Sequence, residues 1–339
     1  MEVSLGTMSK IGWIETHTKK VGGIVYNDMA REALRTHFDL EEIIPQARLF
    51  PGNRLLKLAE LLFRLLFIRG TKDLWVRGVY AALTLRLDRT KGKNLVLIHH
   101  EDFTGYPWYA QLLFSLLWRP LFYWNLKKTD CIVTVSEYWR RYYVQKGYKD
   151  VRVIYNGFDL SQFDISQTEE EAFKKKYRLE GKPIIYLGNC QKAKGVVESY
   201  EMLKDLNVHL LTSGSRHVRI PARNLDLNYK EYLMLLKASS VVLAMSRFKE
   251  GWGRTPHEAM LLKTPVIGSG KGGMQELLEG GEQVACKDIV SLREKVEFLL
   301  LHPEVCAKLG EMGYTFARQF SKERFEKAWR DTVRNLLIL

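Results

Sequence analysis

A chain of 339 residues can hold two ordinary domains, and 46% apolar with 27% charged content excludes a disordered or collagen-like polymer. No apolar run reaches bilayer length and the first residues lack a signal-peptide pattern, so the protein is expected in the cytoplasm. The net charge of +13 is partly local: residues 48–93 hold 11 basic and 3 acidic residues, which points to an anionic partner surface. Cys131, Cys190, Cys286 and Cys306 are dispersed and in no metal-ligand spacing, so free thiols and no metal site are expected.

The first strand is read at 10–14, followed after a polar segment by Gly22-Gly23 and a helix over 23–36. Strand, Gly-Gly turn and helix outline a phosphate loop, and equally a plain tight turn. Residues 54–69 have helical character, with a narrow polar stripe near 54, 57, 60 and 64 among Leu, Phe and Ile. Such a helix is either buried on most sides or lies in a membrane interface, its arginines reaching headgroups. Trp75, Arg77, Tyr80, Arg86, Arg89, Lys91 and Lys93 continue the basic, aromatic character, so 54–93 is the candidate membrane-facing stretch. A second apolar patch, 112–124, is interrupted by Arg119-Pro120 and is too short to span.

Between these patches a buried strand from Asn94 ends abruptly in His99-His100-Glu101-Asp102. The carboxyl end of a parallel strand is where site residues belong. Strands follow at 130–135, with Ser136 as a helix cap, and at 151–155, before an Asn156-Gly157 turn to which no chemistry is assigned. The stretch 164–181, rich in Gln, Glu and Lys, reads as linker and opening helix of a second domain. A clean strand over 183–188 then runs into Asn189 and Lys194-Gly195 at the start of a helix. A strand from His209, a helix over 229–238 and an apolar strand over 240–245 come next.

That last strand leads into Glu250-Gly251-Trp252-Gly253-Arg254-Thr255-Pro256-His257-Glu258. The flanking strands put Glu250 on a loop at a strand's carboxyl end and Glu258 one turn into the next helix. Both lie on the rim where open parallel sheets bind ligands. The glycines allow close approach of backbone N–H groups, and the helix N-terminus favours an anion there.

The Glu-x7-Glu string, followed by Thr264-Pro265-Val266-Ile267-Gly268 and Gly272-Gly273, resembles the donor-site signature of the family-four retaining glycosyltransferases. The resemblance is strong from about 183 to 285, looser from 94 to 163, and fades over 30–93. It implies a GT-B fold: two doubly wound, Rossmann-like α/β domains facing a central cleft, an acceptor-binding domain over 1–163 and a donor-binding domain over 164–319. The C-terminal helix, 320–339, is expected to pack back on the first domain.

The resemblance also implies a nucleoside diphosphate sugar, of UDP or GDP type, as donor, with no further cofactor. Glu258 would bind the ribose with two free carboxylate oxygens, Glu250 would orient the sugar, and Lys194 would neutralise the diphosphate. Gly251, Trp252 and Gly253 would line the pocket, and Gly22 and Gly23 would face the diphosphate. Asn189 stands where the family has an arginine, a loss that Lys192 is read as supplying. His100 fits the family's strand-tip histidine, with His99 as the alternative. The absence of an Asp-x-Asp motif implies metal independence. A glycan acceptor, lipid-linked or on a membrane, suits basic residues interleaved with Leu, Phe and Trp better than nucleic acid does. A non-catalytic binding protein on the same fold is the remaining alternative.

Overall fold

A computed structural model describes residues 8–16, 22–50, 54–104 and 108–338. The chain divides into two compact units, one of residues 1–101, 106–157 and 323–339, the other of 102–105 and 158–322. Each is built on a six-stranded parallel sheet.

In the first unit, β1 (Lys10–Ile14), β2 (Asp39–Ile43), β3 (Arg69–Gly78), β4 (Arg89–Ile98), β5 (Cys131–Thr134) and β6 (Val151–Val153) lie in the order β2-β1-β3-β4-β5-β6. The carboxyl-terminal halves of β3 and β4 and all of β5 are mostly apolar and buried, as expected of strands covered on both faces. The C-terminal helix Lys322–Ile338 packs here, with Trp329 at 5.7 Å from Trp13. Arg152 donates to the Thr332 carbonyl and Lys93 to that of Leu336, tying the helix to strands β6 and β4.

Two expectations for this unit need correction. The helix expected over 54–69 ends at Leu66, and Arg69 opens β3, a strand that the sequence pattern hides together with β2. The first half of β3 is polar and mostly exposed, so its alternation is broken before the buried run Leu74-Trp75-Val76 begins. Trp75 and Arg77, expected on a basic surface, are core residues. Arg77 forms an ion pair with Asp88 at 2.7 Å, both side chains fully buried, and also donates to Asn94 Oδ1 and Thr90 Oγ1. A guanidinium so enclosed contributes nothing to an external field.

In the second unit, β7 (Ile184–Asn189), β8 (His209–Ser213), β9 (Arg223–Leu225), β10 (Val241–Ala244), β11 (Val266–Gly268) and β12 (Val284–Ala285) lie in the order β9-β8-β7-β10-β11-β12. Ile185 and Leu187 of β7, Val241 and Leu243 of β10 and Ile267 of β11 share one core cluster with Val196 and Leu203 of a flanking helix. The strand order runs outward in both directions from β7 and β10. The crevice at their carboxyl ends is thus the switch point of the sheet, where this topology leaves room for a ligand.

The helix that follows β10, Arg254–Leu261, is locked in place by a buried histidine. His257 accepts from Trp252 Nε1 at 2.9 Å through Nδ1, and its Nε2 faces the Ala317 carbonyl at 3.1 Å. That pairing requires the neutral tautomer with the proton on Nε2. The ring also stacks on Phe158, 4.1 Å between centroids. Burial, aided by the Arg254 charge and only partly offset by the Ala317 bond, pushes its pKa down from 6.5 to about 3.

A depressed histidine pKa makes stability complete above pH 6.5 and erodes it as pH falls toward 3, because the unfolded chain takes up a proton that the fold refuses. Between pH 7 and pH 5 this one group should remove about 2 kcal/mol of stability from the second unit. Urea midpoints at the two pH values measure it: the His257→Gln protein should show the shallower acid slope. Identical slopes would mean that the imidazole is not held neutral.

Candidate functional site

Three segments of the second unit meet at the switch point: the loop after β7, the loop after β10 and the loop after β11. Two glycines make the meeting possible. Gly195 has φ 71°, and a Cβ there would lie 2.2 Å from the Met245 carbonyl oxygen. The loop after β7 therefore rests directly on the chain leaving β10. Gly272 has φ 69°, and a Cβ there would lie 2.5 Å from the Glu250 carbonyl oxygen. Glu250 N–H donates to the Lys271 carbonyl and Gly273 N–H to that of Glu250, so the glutamate sits on a short bridge between loops.

The result is an ion pair between residues far apart in sequence. Lys194 Nζ lies 2.6 Å from Glu250 Oε1 and 5.0 Å from the centre of the Phe248 ring. Ser246 Oγ donates to the same carboxylate oxygen at 2.5 Å. Glu250 is mostly buried, whereas about a third of the Lys194 side chain is exposed. A cation fixed from one side by a buried carboxylate and open on the other can still receive an anion.

Glu258 lies one turn into the helix, 3% exposed. It differs from the free ribose acceptor expected from the sequence. Oε1 accepts from Tyr229 at 3.1 Å and Arg254 at 3.2 Å, and Oε2 accepts from Tyr232 at 3.1 Å. A carboxylate offers about four lone-pair sites, so these three donors leave room for about one more. Burial and the Glu258 charge push both phenols up, which keeps them protonated donors. Tyr229 is nearly half exposed, so it is the donor best placed to yield to a ligand.

Of the other expected residues, Asn189 ends β7 with Oδ1 accepting from Tyr186 and Ser213, and Lys192 is exposed. Gly251 is buried and Gly253 precedes the helix. Trp252, expected to line the pocket, has an indole 2% exposed, bonded to His257 and packed on Phe320 at 5.3 Å, so its side chain braces the loop. Asp102 groups with this unit and accepts Lys249 N–H at 2.7 Å. Despite its burial, the N–H groups of Thr104 and Lys249 hold its carboxyl below the usual range.

In the first unit, the helix Gly22–Arg35 begins at Gly22, so its leading N–H groups have no acceptor within the helix. The loop residues 17–21 before it lie outside the described residues. The site of a Cβ on Gly23 is 3.5 Å from the His99 ring, whose Nε2 lies 3.1 Å from Asn27 Oδ1 and whose face meets the edge of Tyr26. His100 is exposed. It is thus His99, the alternative to His100, whose ring lies beside Gly23. Glu101 turns inward, its carboxylate accepting from Tyr123 and Tyr143.

Sequence reasoning missed Ser246, Arg254, Tyr229 and Tyr232. Arg254 stands four residues before Glu258, and the tyrosines three apart on the helix Tyr229–Ala238. Those spacings place each set on one helix face and were the available signal.

Comparison with known proteins follows the same division. Residues 31–162 match the profile described as Glycosyltransferase Family 4, and residues 167–316 that described as Glycosyl transferases group 1. The Bacillus subtilis (strain 168) protein named "Putative glycosyltransferase EpsD" is 25% identical over 282 residues, 74% of this chain and 71% of that one. A trehalose synthase from Pyrococcus horikoshii is 35% identical over 94 residues, 27% of this chain and 22% of its own length. Among solved structures, sucrose-phosphate synthase from Thermosynechococcus elongatus superimposes with a TM-score of 0.77 at 17% identity, covering 97% of this chain and 99% of that one. Anabaena HepE in complex with UDP-glucose gives 0.73 at 16% identity, covering 96% and 100%. Two parallel sheets with these structural neighbours make the fold GT-B. The chain belongs to the group 1 glycosyltransferases of the family-four type.

Proposed function

We propose that the protein moves a sugar from a nucleoside diphosphate sugar to a glycan acceptor that is lipid-linked or exposed at a membrane surface, with retention at the anomeric carbon and without a metal. The observation that carries this reading is the Lys194–Glu250 pair at the β7–β10 switch point, with the Glu258 cluster one turn into the helix that follows that loop. Binding of UDP-glucose by the structural neighbour HepE supports a donor of UDP type, with GDP as the other candidate.

In this mechanism Glu258 holds the ribose. A diol that donates twice must use the remaining lone pair and displace one donor, and Tyr229 is the exposed one. Lys194 releases part of its hold on Glu250 and meets the negative charge that grows on the leaving diphosphate. Glu250, freed on one oxygen, accepts from the sugar hydroxyls and fixes the orientation of the anomeric carbon. N–H groups at Gly22 and Gly23, and at Gly251 and Gly253, complete the donor contacts. Asn189 contributes no charge, so Lys194 and exposed Lys192 supply the cationic character of the loop. His99 or His100 contacts the sugar. Fixed cations fill the role that a divalent ion plays in metal-dependent transfer. On this reading the enzyme works in the cytoplasm, peripherally on the inner face of the membrane.

Calorimetry with UDP and GDP, with EDTA or with magnesium, tests the donor site. One nucleotide should bind equally well under both conditions; binding that needs magnesium would refute metal independence. Glu258→Gln should weaken that nucleotide by about tenfold. Glu250→Gln should leave nucleotide affinity within about twofold while lowering kcat by roughly 10²-fold. Equal losses of nucleotide affinity in both proteins would reject the division of roles.

A second comparison separates the histidines. His99→Ala should lower kcat by roughly 10²-fold, and His100→Ala by less than about threefold, if the ring beside Gly23 contacts the sugar. The reverse ranking would give the role to His100.

A further inference from the structure

The patch over 112–124, too short to cross a membrane, is part of a longer helix whose outer face is almost purely apolar. The chain is helical from Trp108 to Leu126, as an α-helix, a π-turn over Phe114–Trp118 and a second α-helix. Its inner side is fixed to the first unit. Trp118 stacks on Phe122 at 4.5 Å, and the buried Asn125 accepts from Arg86 N–H at 2.8 Å. Its outer side exposes Trp108 (76%), Leu116 (64%) and Leu117 (66%) together with Leu112, Leu121 and Trp124. An α-helix drifts by about 40° every four residues. The wider π-turn takes back part of that drift and keeps positions 108, 112, 116 and 124 on one side.

A second helix, Arg54–Leu66, packs on the same turn, Ala81–Thr84, and Phe63 and the following Phe67, their rings tilted at 4.7 Å between centroids, are also exposed. An exposed apolar face like that of Trp108–Leu126 is far from ordinary for a folded surface. Its charge tells what covers it. The sequence has no acidic residue between Asp102 and Asp130, while Lys57, Arg86, Lys127 and Lys128 are exposed around the apolar area. Arg86 lies 5.3 Å from the centre of the Trp124 ring, an amphipathic pairing suited to the headgroup layer. No described helix is long and apolar enough to cross a bilayer, so contact would be in the interface plane.

We infer that the helix Trp108–Leu126 is the principal membrane-inserting element of the protein, seating its Trp108–Leu116–Trp124 face in an anionic lipid surface. The inference rests on the membrane-borne acceptor proposed above, and moves the main contact from 54–93 to a segment the charge pattern did not single out. Basic residues draw the protein to anionic headgroups, and the apolar face then holds it.

Vesicle flotation tests this with phosphatidylcholine alone and with phosphatidylglycerol added. The unmodified protein should float with the anionic vesicles, and Leu116→Glu/Leu117→Glu should lower its partition by about tenfold or more. Leu301→Glu, equally exposed but in the second unit, should have no effect. An unchanged far-UV circular dichroism spectrum and thermal midpoint of the double variant show that it folds. Should it not fold, fluorescence quenching of the unmodified protein by bromolipids replaces it, since Trp108 and Trp124 must then be quenched. Failure to float, absence of quenching, or flotation undiminished by the double substitution overturns the inference. So does self-association of the unmodified protein that the double variant loses, which would make this face a contact between copies. Flotation without transfer to any lipid-linked acceptor supports the inserting helix and rejects the acceptor reading alone.

Discussion

The second unit is arranged around a close approach of two backbones. Where the chain leaves β7 it presses on the chain leaving β10, and only a residue without a Cβ fits at position 195, 2.2 Å from the Met245 carbonyl oxygen. A second approach of the same kind, Gly272 against Glu250, holds the next loop. These contacts fix backbone positions, and side-chain chemistry follows from them. Lys194 precedes the first glycine and Glu250 lies at the second, so the two charges meet at 2.6 Å without either loop being long. A substitution at Gly195 would therefore act on the ion pair through the backbone, although it removes no charged atom.

Behind this front the unit uses neutral groups to hold charged ones. Trp252 and His257 are committed to each other and to the Ala317 carbonyl, which sets the angle at which the helix Arg254–Leu261 presents Glu258. Tyr229 and Tyr232 are then placed to satisfy that carboxylate. A buried carboxylate without donors would be costly. One supplied by phenols can exchange the half-exposed Tyr229 for a ligand hydroxyl at little net change in hydrogen bonding. Arg254 adds a guanidinium 3.2 Å from the Glu258 carboxylate.

The legible part of the sequence was the part whose structure is local. Strand, loop, glycine pair and helix from 240 to 268 follow one another within a few turns, so their period and punctuation placed both glutamates at a strand rim. The first unit was harder for a definable reason. Strands β2 and β3 begin in solvent-exposed charged residues, and their apolar alternation is too short to stand out. Arg77 looked like surface charge because its partner, Asp88, is brought to it by the fold and not by helical spacing. The histidine pair was undecidable by pattern, since adjacent strand residues point to opposite faces and a register error of one exchanges them. Trp252, an aromatic residue between glycines, reads as a pocket wall, and nothing local announces that His257 accepts its N–H.

The two units differ in what they leave on the surface, and the difference follows from their helices. Helices of the second unit are mostly amphipathic, as Gln167–Lys176 shows: it buries Phe173 and exposes lysines and glutamates closed by a Ser166–Glu169 capping box. Such a helix has its apolar stripe consumed by the core. The helix Trp108–Leu126 spends only Trp118, Phe122, Asn125 and Leu126 on the core, and leaves leucines and tryptophans outward. Solubility would favour replacing them, and the core would not notice, because the buried set is complete without them. If this face is seated in a membrane, as inferred above, its leucines and tryptophans have a role that neither fold nor solvation gives them. Basic residues at its margin, with no acid between 102 and 130, match an anionic surface.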